Sequence, residues 1–452
     1  MKISALILLG VAALSASPSL AQDRIDPAAI ESYIRPYSET SNFSGAVLVE
    51  KNGKIVFEKA FGLADREKSL PNTTAVRFHV ASVSMQFTAA AILRLVDQKR
   101  LALDTKVSEV VPGITGGDRI TMRDLLVQRS GLSDINDLPD YGEVLEVHQT
   151  PASLVAKIKE RPLLFEPGSK FQHEEHSAYN LLALITETKT RKPFSQAVKK
   201  LVFGPAGLSH SAIDDDQVRD KGVAKGYQPK GLSELEPATP IHWSGKAGNG
   251  SAITTVRDEA RWVRALFEGR FLSEDLRKLV LETSPPIGYG WFRRDSARFH
   301  QTAYYMNGRA PGFASFVLYL PKESLTVVVF SNIYSSATTT IGNDIAAIAL
   351  GLPFEPFHPG PRLSAEQLNS STGTFQFGPD FYQPSAQVKL IASGSDLGLR
   401  WPSGDLSPLI PLGRDRFVDR AYWQDVNIER DATGRPVALK YDRFTGQAIN
   451  RK

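Results

Sequence analysis

The chain has 452 residues, no cysteine and a net charge of +4. Without thiols, a disulfide framework, a thiolate metal site and a cysteine nucleophile are all excluded. The mild positive charge is scattered along the chain, which gives no support to nucleic-acid binding.

At the start, Lys2, an apolar run over residues 3–14 and the small-residue sequence SLAQ read as a secretory signal peptide over residues 1–21, cut after Ala21. The expected location is therefore periplasmic or secreted. The apolar part of the signal is too short to span a membrane, and no later stretch approaches the roughly 20 apolar residues that spanning requires.

Next, DPAAIESYIRPY has helical spacing behind an Asp–Pro start. In FSGAVLVEKNGKIVFEKAFG two apolar runs flank Asn52-Gly53, a hairpin signal because a tight primed turn needs positive φ at both central residues. Residues 82–98, rich in Ala, Leu and Ile, predict a helix whose Phe87, Ala90, Ala91 and Val96 face a core. Ser82 falls near its N-terminus, where free amides and the helix dipole favour negative charge.

Residues 101–269 mix short helical patterns with Gly/Pro/Asp loops and predict a helical subdomain. The stretch ASFVLYLPKESLTVVVFSN predicts a second hairpin, and GNDIAAIALGL a helix after it. Hairpins on both sides of a helical middle imply one antiparallel sheet closed by distant segments. The proline-dense residues 353–362 predict an extended linker between a first domain over residues 22–352 and a second over residues 363–452. The short alternating runs QVKLIA, DVNIER and PVALKYD predict that the second is a small all-β, barrel-like domain.

Several stretches together resemble the serine β-lactamase-like family, which includes class C β-lactamases, D-alanyl-D-alanine carboxypeptidases, D-aminopeptidases and related esterases. They are FSGAVLVEKNGKIVFEKAFGLAD, FHVASVSMQFTAAAILRLVDQ, ITMRDLLVQRSGL, GNGSAITTVRDEARW and NGRAPGFASFVLYLPKESLTVVVFSN, within residues 44–351. The resemblance implies an α+β fold of the β-lactamase/transpeptidase type: an antiparallel sheet flanked by helices, with a helical subdomain. Catalysis in that family uses three motifs that meet in one cleft.

Set against the first motif, Ser-x-x-Lys, Ser82 stands at the serine and Met85 at the lysine. A thioether cannot carry the proton transfer that the amine performs near neutral pH. The second motif, Tyr-x-Asn, falls in FQHEEHSAYN, where one register places His173 and Glu175 at the two positions and the other places Glu174 and His176. At the third, the basic residue before a small residue and glycine is Met306, followed by Asn307 and Gly308. Gln128 stands where a further family stretch usually has histidine.

Three functional readings follow. The first, which needs no new chemistry, is a pseudoenzyme that binds a peptide-like or cell-wall-derived small molecule in the old cleft, with Tyr305, Asn307, Gly308 and Arg309 as ligand-binding residues and Arg309 suited to a carboxylate. The second is a serine hydrolase acting on amide or ester bonds, with Ser82 as nucleophile, His173 or His176 as base and Glu174 or Glu175 orienting it. The third is a metal site. Met85 and Met306 with His173 and His176 suit copper, and the histidines with glutamate suit zinc. The family resemblance itself requires no cofactor. Methionine filling the space of a longer polar chain is the alternative to the metal site.

Overall fold

The computed structural model describes residues 25–172, 175–218, 222–282 and 286–449. The expected signal peptide, His173 and Glu174 lie outside these residues. Helix α1 (Pro27–Glu39) starts as its Asp–Pro signal predicts, with the Asp26 carboxylate accepting from the Ala28 amide at 2.9 Å. Strands β1 (Gly45–Lys51) and β2 (Lys54–Phe61) form the first hairpin, and Asn52 and Gly53 hold φ of 52° and 70°.

The remaining strands of the main sheet are β3 (Ile287–Gly288), β4 (Trp291–Ser296), β5 (Gln301–Ala310), β6 (Phe313–Leu320) and β7 (Leu325–Ser331). Their order is β3-β4-β5-β6-β7-β1-β2, so the chain's early hairpin completes a sheet whose other strands come some 230 residues later. The closing pair β1–β7 is antiparallel, from Gly45 opposite Ser331 to Lys51 opposite Leu325.

Period-two alternation buries both faces of this sheet. Val47, Val49, Phe316 and Leu318 pack with α1 and with α5 (Ala337–Ala349). Ala46, Leu48, Val317 and Val328 belong to the larger core around helix α2 (Met85–Asp97). Phe87, Ala90 and Ala91 of α2 are buried as expected, and its short alanines let neighbouring backbone come close: Thr88 Oγ1 donates to the Gly248 carbonyl at 2.7 Å.

The α2 element differs from the expectation at its start. Residues Ala81–Ser84 form a 3-10 turn and the α-helix begins at Met85. The reason is tertiary: the Val80 amide donates to Ala252 and its carbonyl accepts from Ser315 Oγ at 2.6 Å, which fixes the chain just before the helix. Helix α3 (His176–Thr190) and helix α4 (Val256–Phe267) belong to the helical middle of the chain.

Residues 352–364 form no helix or strand. Beyond them eight antiparallel strands, from Gly373–Gln376 to Phe444–Ala448, close into a barrel with its own apolar interior. Arg420 fastens the barrel to the first domain. Fully buried, it donates to Asn42 Oδ1 and to the carbonyls of Ser41, Glu234 and Gly231.

Candidate active-site cleft

A cavity of about 930 Å³ opens where the 3-10 turn, the edge of β5 and the barrel meet, and Ser82 lies in its wall. Three features put Ser82 there. Ala81 adopts φ of 48°, in the left-handed region, which turns the chain sharply before the serine. Gly308 lets β5 press against that turn, since a Cβ there would fall 2.6 Å from the Val80 carbonyl oxygen and 2.7 Å from the Ser82 amide nitrogen. The register of β4 against β5 ends at Tyr305, so residues 306–310 have a strand neighbour only in β6, and their other edge faces the cleft. Among the described residues, neither the amide nor the hydroxyl of Ser82 has a hydrogen-bond partner.

Met85, one helical turn on, does not reach the cavity. It is 2 % exposed, lies in the apolar core, and its sulfur accepts from Gln128 Nε2 at 3.8 Å. Met306 is in the same core and 1 % exposed. The two methionines therefore sit beneath the cleft wall and do not line the cavity, and among the described residues no group of three or more His, Asp or Glu side chains is disposed to hold a metal ion.

Glu175 and His176, adjacent in sequence, face different partners. Glu175 turns inward, accepting from Ser130 Oγ at 2.6 Å and from the Gly131 amide at 3.0 Å. Burial pushes its carboxyl up to about 8, against those donors, which favour the ionised form. It braces the loop that carries Gln128 and does not line the cavity. His176 does line it, but its Nδ1 lies 3.1 Å from Asn136 Nδ2 and 3.3 Å from the Asp134 carboxylate. Burial raises the Asp134 carboxyl, yet the His176 ring and the amides of Asn136 and His176 outweigh it and hold the group below its ordinary value. No hydrogen bond joins His176 to Ser82.

Of the residues expected to bind ligand, Asn307, Gly308 and Arg309 line the cavity. Tyr305 does not. Its ring is stacked on Phe292 at 5.3 Å and covered by the Arg294 guanidinium. Among the described residues no carboxylate pairs with Arg309; its guanidinium lies between the rings of Tyr334 and Tyr422 and donates to the Ala421 carbonyl of the barrel at 2.8 Å.

Sequence reasoning missed several cavity residues. Lys246 donates to the Tyr141 hydroxyl at 2.6 Å, and burial raises the pKa of that phenol, which keeps it neutral. Among the described residues, the amide nitrogen of Asn249, 1 % exposed, has no hydrogen-bond partner, and the buried amide oxygen of Asn136 has none either. The spacing of Lys246 and Asn249, three residues apart in KAGNGS, is a local signal that could have suggested a shared face. The barrel adds Tyr382, Trp401 and Tyr422, residues with no motif at all.

The sheet order, the helix that begins beside Ser82 and the cleft between sheet and helical region agree with what the sequence resembles, and the family model described as Beta-lactamase matches residues 30–351. The chain belongs to the Beta-lactamase family. Within this family it is 27 % identical over 345 residues to the D-aminopeptidase of Gluconobacter oxydans (strain 621H), covering 73 % of this chain but 62 % of the relative, so it spans less than two thirds of that protein. It is similar to the penicillin binding protein from Bacillus halodurans, with 25 % identity and a TM-score of 0.63 over 71 % of this chain and 98 % of the other. The octameric penicillin-binding protein homologue from Pyrococcus abyssi, 22 % identical, matches in fold over 93 % of this chain and 99 % of its own, with a TM-score of 0.66. No helix among the described residues of this Beta-lactamase family member is long and apolar enough to cross a membrane.

Proposed function

We propose that this chain is an exported, ligand-binding member of the family that holds a peptide-like, cell-wall-derived small molecule in the Ser82 cleft and does not turn it over by lysine-assisted acyl transfer. The observation that carries the reading is the residue one helical turn after Ser82: Met85, buried and engaged by Gln128, offers no base to a serine hydroxyl that has no other partner among the described residues. A serine needs an adjacent base or a lowered pKa to act as a nucleophile.

The same cleft is well furnished for binding. The open edge of β5 can pair with an extended peptide, as strand-edge recognition does elsewhere. The Ser82 amide and the unpartnered amide nitrogen of Asn249 present donors to a ligand carbonyl, and the Lys246 ammonium presents charge to a carboxylate. Leaving such buried groups unpaired is costly, so a ligand that pairs them gains accordingly.

Incubation with an activated phosphonate or a β-lactam, followed by intact mass, is expected to show no adduct. A peptide ending in D-Ala-D-Ala is expected to raise the melting temperature, by about 2.7 kcal/mol of added stability at a hundredfold excess over Kd. A Ser82 adduct that disappears in Ser82→Ala would overturn the proposal and assign a hydrolase.

A further inference from the structure

The barrel wall of the cleft carries chemistry that a peptide on the β5 edge does not use. We propose that it is a saccharide subsite, which binds an N-acetylated amino-sugar oligosaccharide beside the peptide; the proposal rests on the reading of the cleft as a site for a cell-wall-like ligand.

The rings are built to present their faces. Trp401 donates its indole N–H to Ser407 Oγ at 3.0 Å, and Tyr382 donates its hydroxyl to Asp442 at 2.7 Å. With both polar tips engaged by neighbouring side chains, what the protein leaves to a ligand is chiefly the ring surface. Trp401 is backed by Phe381, nearly parallel at 11° and 6.3 Å, and fenced by Tyr422 at 71°. Tyr382 and Tyr422 remain 55 % and 40 % exposed, large aromatic areas for a folded surface.

Tyr422 is held in place from both sides of the domain junction. Arg309 of β5 covers one side of its ring at 4.1 Å, and the turn that carries it is anchored by buried Arg420 and passes through Trp423 with φ of 56°. A bulky residue in the left-handed region persists only where its surroundings over-determine it.

Polar groups sit among the rings: the side-chain amides of Gln383 and Gln424 form no hydrogen bond among the described residues, and the Asp405 carboxylate stands at a tight turn closed by the Trp401 amide. A pyranose ring has an apolar C–H face and a rim of hydroxyls, so flat rings flanked by amides and a carboxylate match it. An acetamido group adds a donor and an acceptor that complement a primary amide. An apolar peptide side chain would instead want an enclosed apolar pocket. The cavity volume of about 930 Å³ lies near the upper end for small-molecule sites, enough for both parts of a glycopeptide.

Titration of the full chain with the β-1,4-linked tetramer of N-acetylglucosamine, followed by tryptophan fluorescence and calorimetry, tests this. Binding is expected, weakened at least tenfold in Trp401→Ala and in Tyr382→Ala. Affinity for a D-Ala-D-Ala peptide should change less than twofold. Because Tyr382 is exposed, its variant is expected to keep the parent melting temperature and so carries the test if Trp401→Ala unfolds. No tetramer binding by the parent protein, an unchanged affinity in Tyr382→Ala, or a parallel loss of peptide binding would overturn the subsite. Tetramer binding that survives while the peptide fails to bind supports the subsite and instead removes the peptide reading of the cleft.

Discussion

Gly308 shows how one residue sets the cleft. Its missing Cβ would meet backbone atoms of Val80 and Ser82 and the Ser315 hydroxyl, all within 2.8 Å, and backbone cannot step aside as a flexible side chain can. Gly308→Ala is therefore expected to destabilise the protein by roughly 1–3 kcal/mol, as overpacking does. It should also push β5 away from Ser82; chemical denaturation reads the first effect and loss of peptide binding the second. An alanine variant with parent stability would show that the strand does not press on the turn. At this scale the sequence exposed Ser82, Asn307, Gly308 and Arg309 as cleft residues through the family pattern, and all four line the cavity. It did not show that Met85 and Met306 lie under the wall, because a methionine reads the same in a core as at a ligand site.

Two helices carry buried acids at their beginnings. Glu175 precedes α3, and Glu259 lies in the first turn of α4, where its Oε1 accepts from Gln86 at 2.6 Å and its Oε2 has no partner among the described residues. Burial raises each carboxyl to about 8. A folded-state pKa above the unfolded value near 4.5 means that the native state holds the proton more tightly. The associated stability is fully present below about pH 4.5 and is lost as the pH rises through about 8.

Denaturation across that window is expected to show stability falling with pH. In Glu259→Gln the slope should be shallower by up to about 1.4 kcal/mol per pH unit, since the amide keeps the bond to Gln86 and cannot ionise. An identical profile in the variant would show that Glu259 is ionised in the native state at neutral pH. The elements themselves were legible where period and punctuation agree: α1 behind Asp26, the hairpin at Asn52-Gly53, the hairpin of β6 and β7, and α2. The 3-10 turn over Ala81–Ser84 was not, since it is imposed by Ala252 and Ser315, both distant in sequence.

For the whole molecule, the decisive joint is Arg420. Removing its guanidinium in Arg420→Ala leaves the Asn42 side chain and three carbonyls buried with fewer partners. Each such group costs about 1–3 kcal/mol, so a loss of several kcal/mol is expected, and calorimetry should resolve the barrel's unfolding from that of the first domain. A single transition at the parent temperature would mean that the joint lies elsewhere.

By itself the sequence determined the sheet closed by distant hairpins, a small β domain at the end of the chain and the position of Ser82 beside a helix start, while the α+β class came with the family resemblance and not from local pattern. The first three follow from local periodicity and turn chemistry, which neighbouring residues carry among themselves. Only the tertiary structure decided that Glu175 and His176 part company, that Lys246, Asn249 and Asn136 join the cleft, and that the barrel gives the site an aromatic wall. Each of those depends on which surfaces meet when distant segments pack, and a pattern of nearest neighbours does not contain that information.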